Sequence, residues 1–470
     1  MEDRRKTYRS WDPEQGRRQA YTPQDVLPEG DLVFFLLDLI PQLDLSPFYE
    51  YYERELRGAP PYDVQLMVSL LSYSYCVGVF SSRKIAAACE RDLAFKAIVG
   101  NAPPDFRTIS DFRKIHQTAF RNLFVEVLRV AGEAGMVQLG NLSTDGSKVQ
   151  ANASRHKAMS YGYMENELER LQAEIDRLLE QAASVDAEQD AALGSRRGDE
   201  LPDELHRRTE RQQKIRQAKA RLEAEAQARA AEEQRRRDQA EAERLAQGRP
   251  RRGREPAPVD ATPEPKAQTN FTDPDAKIMK RSNKGFDYCY NAQTVVDSGQ
   301  QIIVAAEVTA QANDKQQAAP MAQAALENLE SAGIERPQEP DGTPRPIANT
   351  ADSGYFSETA VPAVKQLGLE PYFATGRQKH HASESPVADA SPPGVASVKE
   401  QMAQKLRTAT GRVLYAARKH IVEPVFGQIK HVRGFRQFLL RGLAKVSAEW
   451  QLVCLTHNLL KIWRFQSSAA

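Results

Sequence analysis

Ile347-Ala348-Asn349-Thr350-Ala351-Asp352-Ser353-Gly354-Tyr355 is a short apolar run broken at once by an acid and a glycine. Upstream, Leu142-Ser143-Thr144-Asp145-Gly146 repeats the arrangement. Downstream, Glu423 lies in Val422-Glu423-Pro424-Val425-Phe426-Gly427-Gln428-Ile429-Lys430, inside the most basic stretch of the chain. Three acids at the ends of structural elements, beside a dense cationic tail, suggest metal ions held against a phosphate backbone.

Working outward from Asp352, the pattern alternates between strand and helix. Phe286 to Val296 and Gln301 to Thr309 are rich in Val, Ile and Tyr and flank Asp297-Ser298-Gly299-Gln300, which predicts an antiparallel hairpin. A helix from about Lys315 to Ala332, a strand from Ile347 to Asp352, a helix from Ser357 to Leu367 and a strand from Pro371 to Thr375 follow. Residues 378–400, rich in Ser, Ala, Pro and His, read as a loop, and helices close the chain at about 422–432 and 444–464. With the strand ending at Asp145, and a helical insertion set aside, the order is three strands, helix, strand, helix, strand, helix. That is the succession of an RNase H-like mixed sheet in the α/β class.

The insertion differs in composition. From about Met164 to Gln247 the chain is rich in Glu, Arg, Gln and Ala, and Met164, Leu168, Leu171, Ile175 and Leu178 form a heptad seam. Leu201, Leu205, Ile215 and Leu222 continue it after a break at Gly194 to Pro202, predicting an antiparallel, coiled-coil-like hairpin. Arg249 to Pro265 has the composition of a flexible linker. Ahead of Asp145, residues 31–138 read as helical. Asp31 caps a core helix over Leu32 to Ile40, and Val64 to Leu71 marks a buried helix. Shorter helices follow at Ser81 to Arg91 and from Thr108 or Ser110 to about Arg129. Arg83, Lys84, Arg107, Arg113 and Lys114 at exposed positions suit a DNA-binding unit; a structural bundle accounts for the same pattern.

The net charge of +1 conceals an asymmetry. From Gln401 to Ala470, twelve Lys and Arg face only Glu423 and Glu449, a local charge of +10 that fits a nucleic-acid partner. Cys76, Cys89, Cys289 and Cys454 are scattered with no C-x-x-C pair, which argues against structural zinc and a disulfide framework and for a reducing compartment. The apolar run Leu32 to Ile40 is nine residues long and stops at Pro41, too short to span a bilayer. These readings place the protein in the cytoplasm.

Phosphodiester chemistry needs an in-line nucleophile, neutralised phosphoryl oxygens and a stabilised leaving oxygen; two Mg²⁺ ions about 3.5–4 Å apart supply all three. Asp145 and Asp352 on neighbouring strands, with Glu423 delivered from a helix, make a sufficient carboxylate set. Each also has a plainer explanation, since Asp before Gly is commonly a turn and Glu before Pro commonly opens a helix. Asp297, Glu307 and Asp314 compete for the same role, with Asp297 the more easily assigned to a turn.

Together with Tyr62 to His116, Lys284-Gly285-Phe286-Asp287-Tyr288-Cys289-Tyr290-Asn291-Ala292-Gln293, Ala351 to Phe356 and the closing His457-Asn458-Leu459-Leu460-Lys461, these motifs resemble bacterial insertion-sequence transposases of the DDE class. The resemblance implies an RNase H-like catalytic domain with Asp145, Asp352 and Glu423 as catalytic and metal-binding triad for two Mg²⁺, or Mn²⁺. It implies nicking at transposon ends, then attack of the freed 3′-hydroxyl on target DNA by a dimer or larger assembly. Many relatives carry Tyr, two residues, Arg, three residues, Glu, six residues, Lys; here Tyr415, Arg418, Glu423 and Lys430 match, except that Lys419 holds the Arg spacing. Tyr415, Arg418, Lys419 and Lys430 are therefore the expected DNA contacts, with Glu423 and Lys430 on one helix face.

The resulting organisation is a flexible segment (1–30), a helical, DNA-binding domain (31–138) and a catalytic domain (139–154 and 271–435). The inserted hairpin (155–248), a linker (249–270) and a C-terminal helical region (436–470) complete it. The expected setting is a bacterial nucleoid-associated protein on double-stranded DNA. A catalytically silent DNA-binding descendant of a transposon, or a non-specific nuclease of the same fold, are the alternatives.

Overall fold

The structure, a computed structural model, describes residues 25–54, 60–100, 102–193, 203–249, 257–281, 285–376 and 397–469. The expected 1–30 segment, the break at 194–202, the 378–400 loop and Lys284 therefore fall wholly or largely outside the described residues.

Among the described residues, seven α-helices precede the sheet: α1 Leu32–Leu39, α2 Ser46–Glu53, α3 Val64–Cys76, α4 Ser82–Arg91, α5 Leu93–Val99, α6 Phe106–Ile115 and α7 Gln117–Glu133. Aspartates start four of them. Asp31, Asp63, Asp92 and Asp105 each accept hydrogen bonds from the free amides of the first turn. The single helix expected up to Arg129 is two, because it starts at the Asp105 cap and breaks at His116 (φ −95°, ψ 38°). Arg113 is buried rather than exposed and donates to Tyr75 Oη, the Phe80 carbonyl and Ser82 Oγ.

The sheet is built from β1 Asn141–Gln150, β4 Lys277–Lys280, β5 Phe286–Asp297, β6 Ile303–Thr309, β7 Ile347–Ala351 and β8 Leu369–Phe373, while β2 Ala158–Ser160 and β3 Gln268–Asn270 form a separate ribbon. β1 is central, antiparallel to β5 and parallel to β7, which is parallel to β8. β6 and β4 pair antiparallel with opposite ends of β5. This is the RNase H-like mixed sheet expected from the order of elements, with an N-terminal helical region and an inserted hairpin.

A buried polar ladder pins β1 against β7. Ser143 Oγ and Thr350 Oγ1 share a hydrogen bond of 2.7 Å, Thr350 reaches Asn141 Oδ1 at 3.2 Å, and Asn349 Nδ2 donates to the Leu142 carbonyl and to Thr144 Oγ1, both at 3.2 Å. A one-residue slip would leave these groups buried without partners, so the register is strongly specified. It sets Thr144 opposite Ala351, and the next residue of each strand is an aspartate.

The insertion forms the long helices α8 Tyr161–Leu193 and α9 Asp203–Ala246. They run antiparallel around Met164, Leu171, Ile215 and Leu222, with ion pairs such as Arg208–Glu174 (2.9 Å) and Arg211–Glu167 (2.7 Å) on the flanks. Arg221 pairs with Asp275, and Lys277 with Glu225 at 2.7 Å, fastening the arm to the sheet. Within the expected linker, the part after residue 256 is docked: Tyr161 and Gly162 amides donate to the Ala267 and Pro265 carbonyls.

After α10 Ala318–Ser331 and α11 Ala360–Gln366, the chain forms α12 Val398–Lys405, opened by a Ser397/Glu400 capping box, and α13 Ala409–Ile421. Neither α12 nor α13 was expected. α14 Glu423–Gly427 follows, with Pro424 in its first turn, and passes into a π-helical turn over Gln428–Val432. α15 Leu443–Ala469 then runs through the core between helical region and sheet. Buried Glu449 joins the two by accepting from Tyr75 Oη (3.2 Å) and from the Leu439 and Leu440 amides, with Arg113 4.0 Å away. The closing motif is structural: Asn458 pairs with both backbone groups of Ile303, and His457 meets the Gln301 carbonyl. Among the described residues no single helix is long and apolar enough to cross a membrane; one bent pair, Leu32–Gln42 with Ser46–Glu53, passes by composition only, and its apolar side chains are largely buried.

Candidate active site

Asp145 stands inside β1, not at its end. β5 continues to pair beyond it, while the parallel partner β7 stops at Ala351. The sheet therefore opens on one side of β1 at Asp145, and Asp352 leaves β7 at that opening. Asp145-Gly146 is thus extended strand rather than a turn.

Asp145 Oδ1 accepts from the Gly146 amide at 2.8 Å, and Oδ2 lies 3.4 Å from Arg418 Nη1. Its side chain is 20% exposed. Burial raises its carboxyl to about 6; Arg418 opposes the rise, and nearby Asp352 and Asp314 reinforce it. Asp352 Oδ1 accepts from the Gly354 amide at 2.8 Å. A Cβ on residue 354 would lie 2.9 Å from Asp352 Oδ1 and 3.5 Å from Asp314 Oδ2, so a larger residue there would displace the Asp352 carboxylate.

Glu423 opens α14 with its side chain 54% exposed, Oε1 lying 3.7 Å from Arg418 Nη2. Arg418, in the last turn of α13 and 11% exposed, thus stands between Asp145 and Glu423. Tyr415 is one turn earlier, and burial raises its hydroxyl while Arg418 beside it lowers it. Lys419 is exposed and is not brought to the acids.

Lys430, in the π-turn, donates to Ser147 Oγ and to the Lys148 carbonyl at 3.3 Å. Burial, helped by neighbouring Arg281, lowers its ammonium to about 8. The π-turn breaks the simple helical wheel between Glu423 and Lys430, yet both flank β1, one beside Asp145 through Arg418 and the other at Ser147. Arg433 contributes nothing to a DNA surface: it is buried and donates to Thr456 Oγ1 and the Val453 carbonyl.

Of the competing acids, Asp297 is turn chemistry, accepting from the amides of Gln138, Leu139 and Gly299. Glu307, across from Gln293 on β6, pairs instead with Arg121 of α7 at 3.4 Å. Asp314 belongs with Asp352. Lys148, Gln293 and Tyr355 also line this region, and the sequence assigned none of them a role.

Among the described residues no three His, Cys, Asp or Glu side chains stand close enough as placed to enclose a metal ion. The donor set nonetheless fits a hard divalent cation. It consists of carboxylate oxygens, and burial, reinforced by the neighbouring Asp352 and Asp314, keeps the Asp145 carboxyl raised. The Arg418 guanidinium already stands where positive charge is wanted.

Two family models match the chain. The Transposase domain (DUF772) matches residues 21–115, covering the helical region through α6, and the Transposase DDE domain matches residues 373–463, covering Tyr415, Arg418, Lys419, Glu423 and Lys430. Asp145 and Asp352 lie between the two matches. No curated protein and no solved structure matches the chain.

Proposed function

We propose that this chain, which two transposase family models match over residues 21–115 and 373–463, is a DDE transposase acting on DNA with divalent metal, and that Asp145, Asp352 and Glu423 are its catalytic carboxylates. One observation carries the reading: the β1–β7 register sets Thr144 opposite Ala351, each followed by one of the two aspartates where the sheet opens, and Arg418 ties Glu423 to Asp145. Mg²⁺, as two ions, is the natural occupant, with Mn²⁺ as substitute; when bound it neutralises the phosphoryl oxygens and lowers the pKa of an attacking water.

The side chains orient the rest. Water attacks phosphorus at the transposon end and the 3′-oxygen departs; that 3′-hydroxyl then attacks a target phosphodiester, whose own 3′-oxygen leaves. Asp145 and Asp352 fix the reacting phosphate from the sheet, and Glu423 closes the site from α14. Arg418, Tyr415 and Lys430 line the path of the phosphate backbone, with Lys419 contacting DNA from the exposed side of α13. Lys430 is held at Ser147, two residues from Asp145, which suits a phosphate adjacent to the scissile one.

The remaining parts take roles to match: 31–138 as DNA-binding domain, 139–154 with 271–435 as catalytic domain, and the 155–248 hairpin as a clamp or partner helix in a dimeric or larger assembly on two DNA ends. The setting is the bacterial cytoplasm, at the nucleoid. Incubating the protein with its flanking DNA and Mg²⁺ and mapping the ends tests the reading. Asp145→Ala, Asp352→Ala and Glu423→Ala should each abolish end cleavage while DNA binding persists; normal cutting by all three would end it. Cleavage without terminal preference or strand-transfer product would indicate a plain nuclease. Deleting residues 165–247 tests the hairpin: unchanged oligomer mass and DNA affinity would remove that role.

A further inference from the structure

Asn291-Ala292-Gln293 and Tyr355, quoted above as motif residues, have no part in the chemistry so far. Asn291 and Gln293 are successive residues on one face of β5 and fully buried. Both side-chain amides donate to one atom, Asp314 Oδ1, at 2.6 Å from Asn291 and 2.8 Å from Gln293. Lys148 Nζ, from β1, reaches the same oxygen at 3.3 Å. On its other side the Gln293 amide oxygen accepts from the buried Tyr355 hydroxyl. The Gln293 backbone is held as well, its carbonyl taking the Trp450 indole N–H at 3.0 Å.

This chain of contacts reaches the residue that follows Asp145 and the turn that begins at Asp352. Gln293 stands opposite Gly146 in the β1–β5 register, and a Cβ on residue 146 would collide with its amide nitrogen and lie 3.0 Å from Tyr355 Oη. Gly146 directly follows Asp145, and Tyr355 ends the turn that begins at Asp352. The Gln293 amide is therefore a spacer between β1 at Asp145 and the turn that carries Asp352. Its orientation depends on having an acceptor on one side and a donor on the other.

We propose that Asp314 is a positioning residue for the transposase reaction, fixing the separation of Asp145 and Asp352 through Gln293 and Tyr355. The inference rests on the catalytic reading of those two aspartates. Asp314 acts as an acceptor that locks the Gln293 amide. Without it nothing fixes which way the Gln293 amide faces, the Tyr355 hydroxyl meets either end of it, and the two carboxylates are held loosely. Sites of this kind tolerate about 0.5 Å of misplacement, and about 1 Å costs on the order of 100-fold in rate.

The test measures end cleavage by the full chain with Mg²⁺ and with Mn²⁺, alongside Mn²⁺ binding without DNA. Asp314→Ala should lose about 30- to 100-fold in Mg²⁺-supported rate and clearly less with Mn²⁺. Asp314→Asn retains an acceptor oxygen and should recover most of the loss. Gln293→Leu should mimic Asp314→Ala, and the double variant should be no worse than either single one. Tyr355→Phe removes only a hydroxyl and should shift the metal preference the same way should Asp314→Ala fail to fold. Asp314→Asn as inactive as Asp314→Ala, with Mn²⁺ binding lost, would make Asp314 a ligand and overturn the proposal. Multiplying losses in the double variant would overturn it too, as would wild-type behaviour of Asp314→Ala. Unimpaired cleavage by Asp145→Ala, run in parallel, would instead bring down the underlying site.

Discussion

Arg418 Nη1 lies 3.4 Å from Asp145 Oδ2 while its Nη2 lies 3.7 Å from Glu423 Oε1, so one guanidinium neutralises two of the three acids in the free protein. A divalent cation at those acids competes with that ion pair, and a DNA phosphate competes for the guanidinium. Arg418→Gln should therefore bind Mn²⁺ about 5- to 10-fold more tightly than wild type in the absence of DNA, a gain of about 1 kcal/mol. It should nevertheless cut transposon ends more slowly, having lost a phosphate contact. Isothermal titration with Mn²⁺ checks the first expectation; equal affinities would show that Arg418 does not guard the acids.

The Asp145 carboxyl, raised by burial to about 6, gives a pH dependence of defined sign. Its folded-state value exceeds the ordinary 3.8, so the folded state binds the proton more tightly than the unfolded chain. Metal-free stability from this group is complete below about pH 4 and is lost as pH rises through 6. Asp145→Asn should then stabilise the metal-free protein at pH 8 by on the order of 2 kcal/mol and have no such effect at pH 4. Thermal melts in EDTA at the two pH values measure it. Metal affinity should fall as pH drops below 6, because the cation needs the ionised carboxylate.

The buried triad of Arg113, Tyr75 and Glu449 joins the N-terminal helices to α15 and thus to the sheet. Removing one charged partner leaves the other desolvated, so Glu449→Ala should cost about 3–5 kcal/mol. Denaturant unfolding followed separately in the two regions should show both weakened together. Loss of the helical region alone would mean that it folds as an independent unit.

The parts legible in the sequence were those set by periodicity and turn chemistry. The β5–β6 hairpin announced itself through Asp297-Ser298-Gly299-Gln300, and the arm α8–α9 through its heptad seam. What stayed hidden depends on distant partners. Arg113 reads as a surface cation because nothing local reveals Tyr75 and Ser82 around it. Asp145 reads as ending its strand, with a turn at Asp145-Gly146 as the plainer alternative, since the glycine's reason is the Gln293 side chain arriving from β5. Asp314 was visible as an acid but not as a neighbour of Asp352, because the loop after β6 has no periodic signal to place it.

The polar ladder between β1 and β7 yields the sharpest test of how register makes the site. Asn349 is fully buried, and its Nδ2 holds the Leu142 carbonyl and Thr144 Oγ1 next to Asp145. Asn349→Leu fills similar volume but strands those acceptors, at a cost of about 1–3 kcal/mol. Because the two aspartates follow directly on Thr144 and Ala351, loosening this pair should cost activity beyond the loss of folded protein. End cleavage per folded molecule should drop at least tenfold at a temperature where circular dichroism shows the variant fully folded. Full activity there would mean that the spacing of Asp145 and Asp352 is set elsewhere, leaving the ladder a role in stability alone.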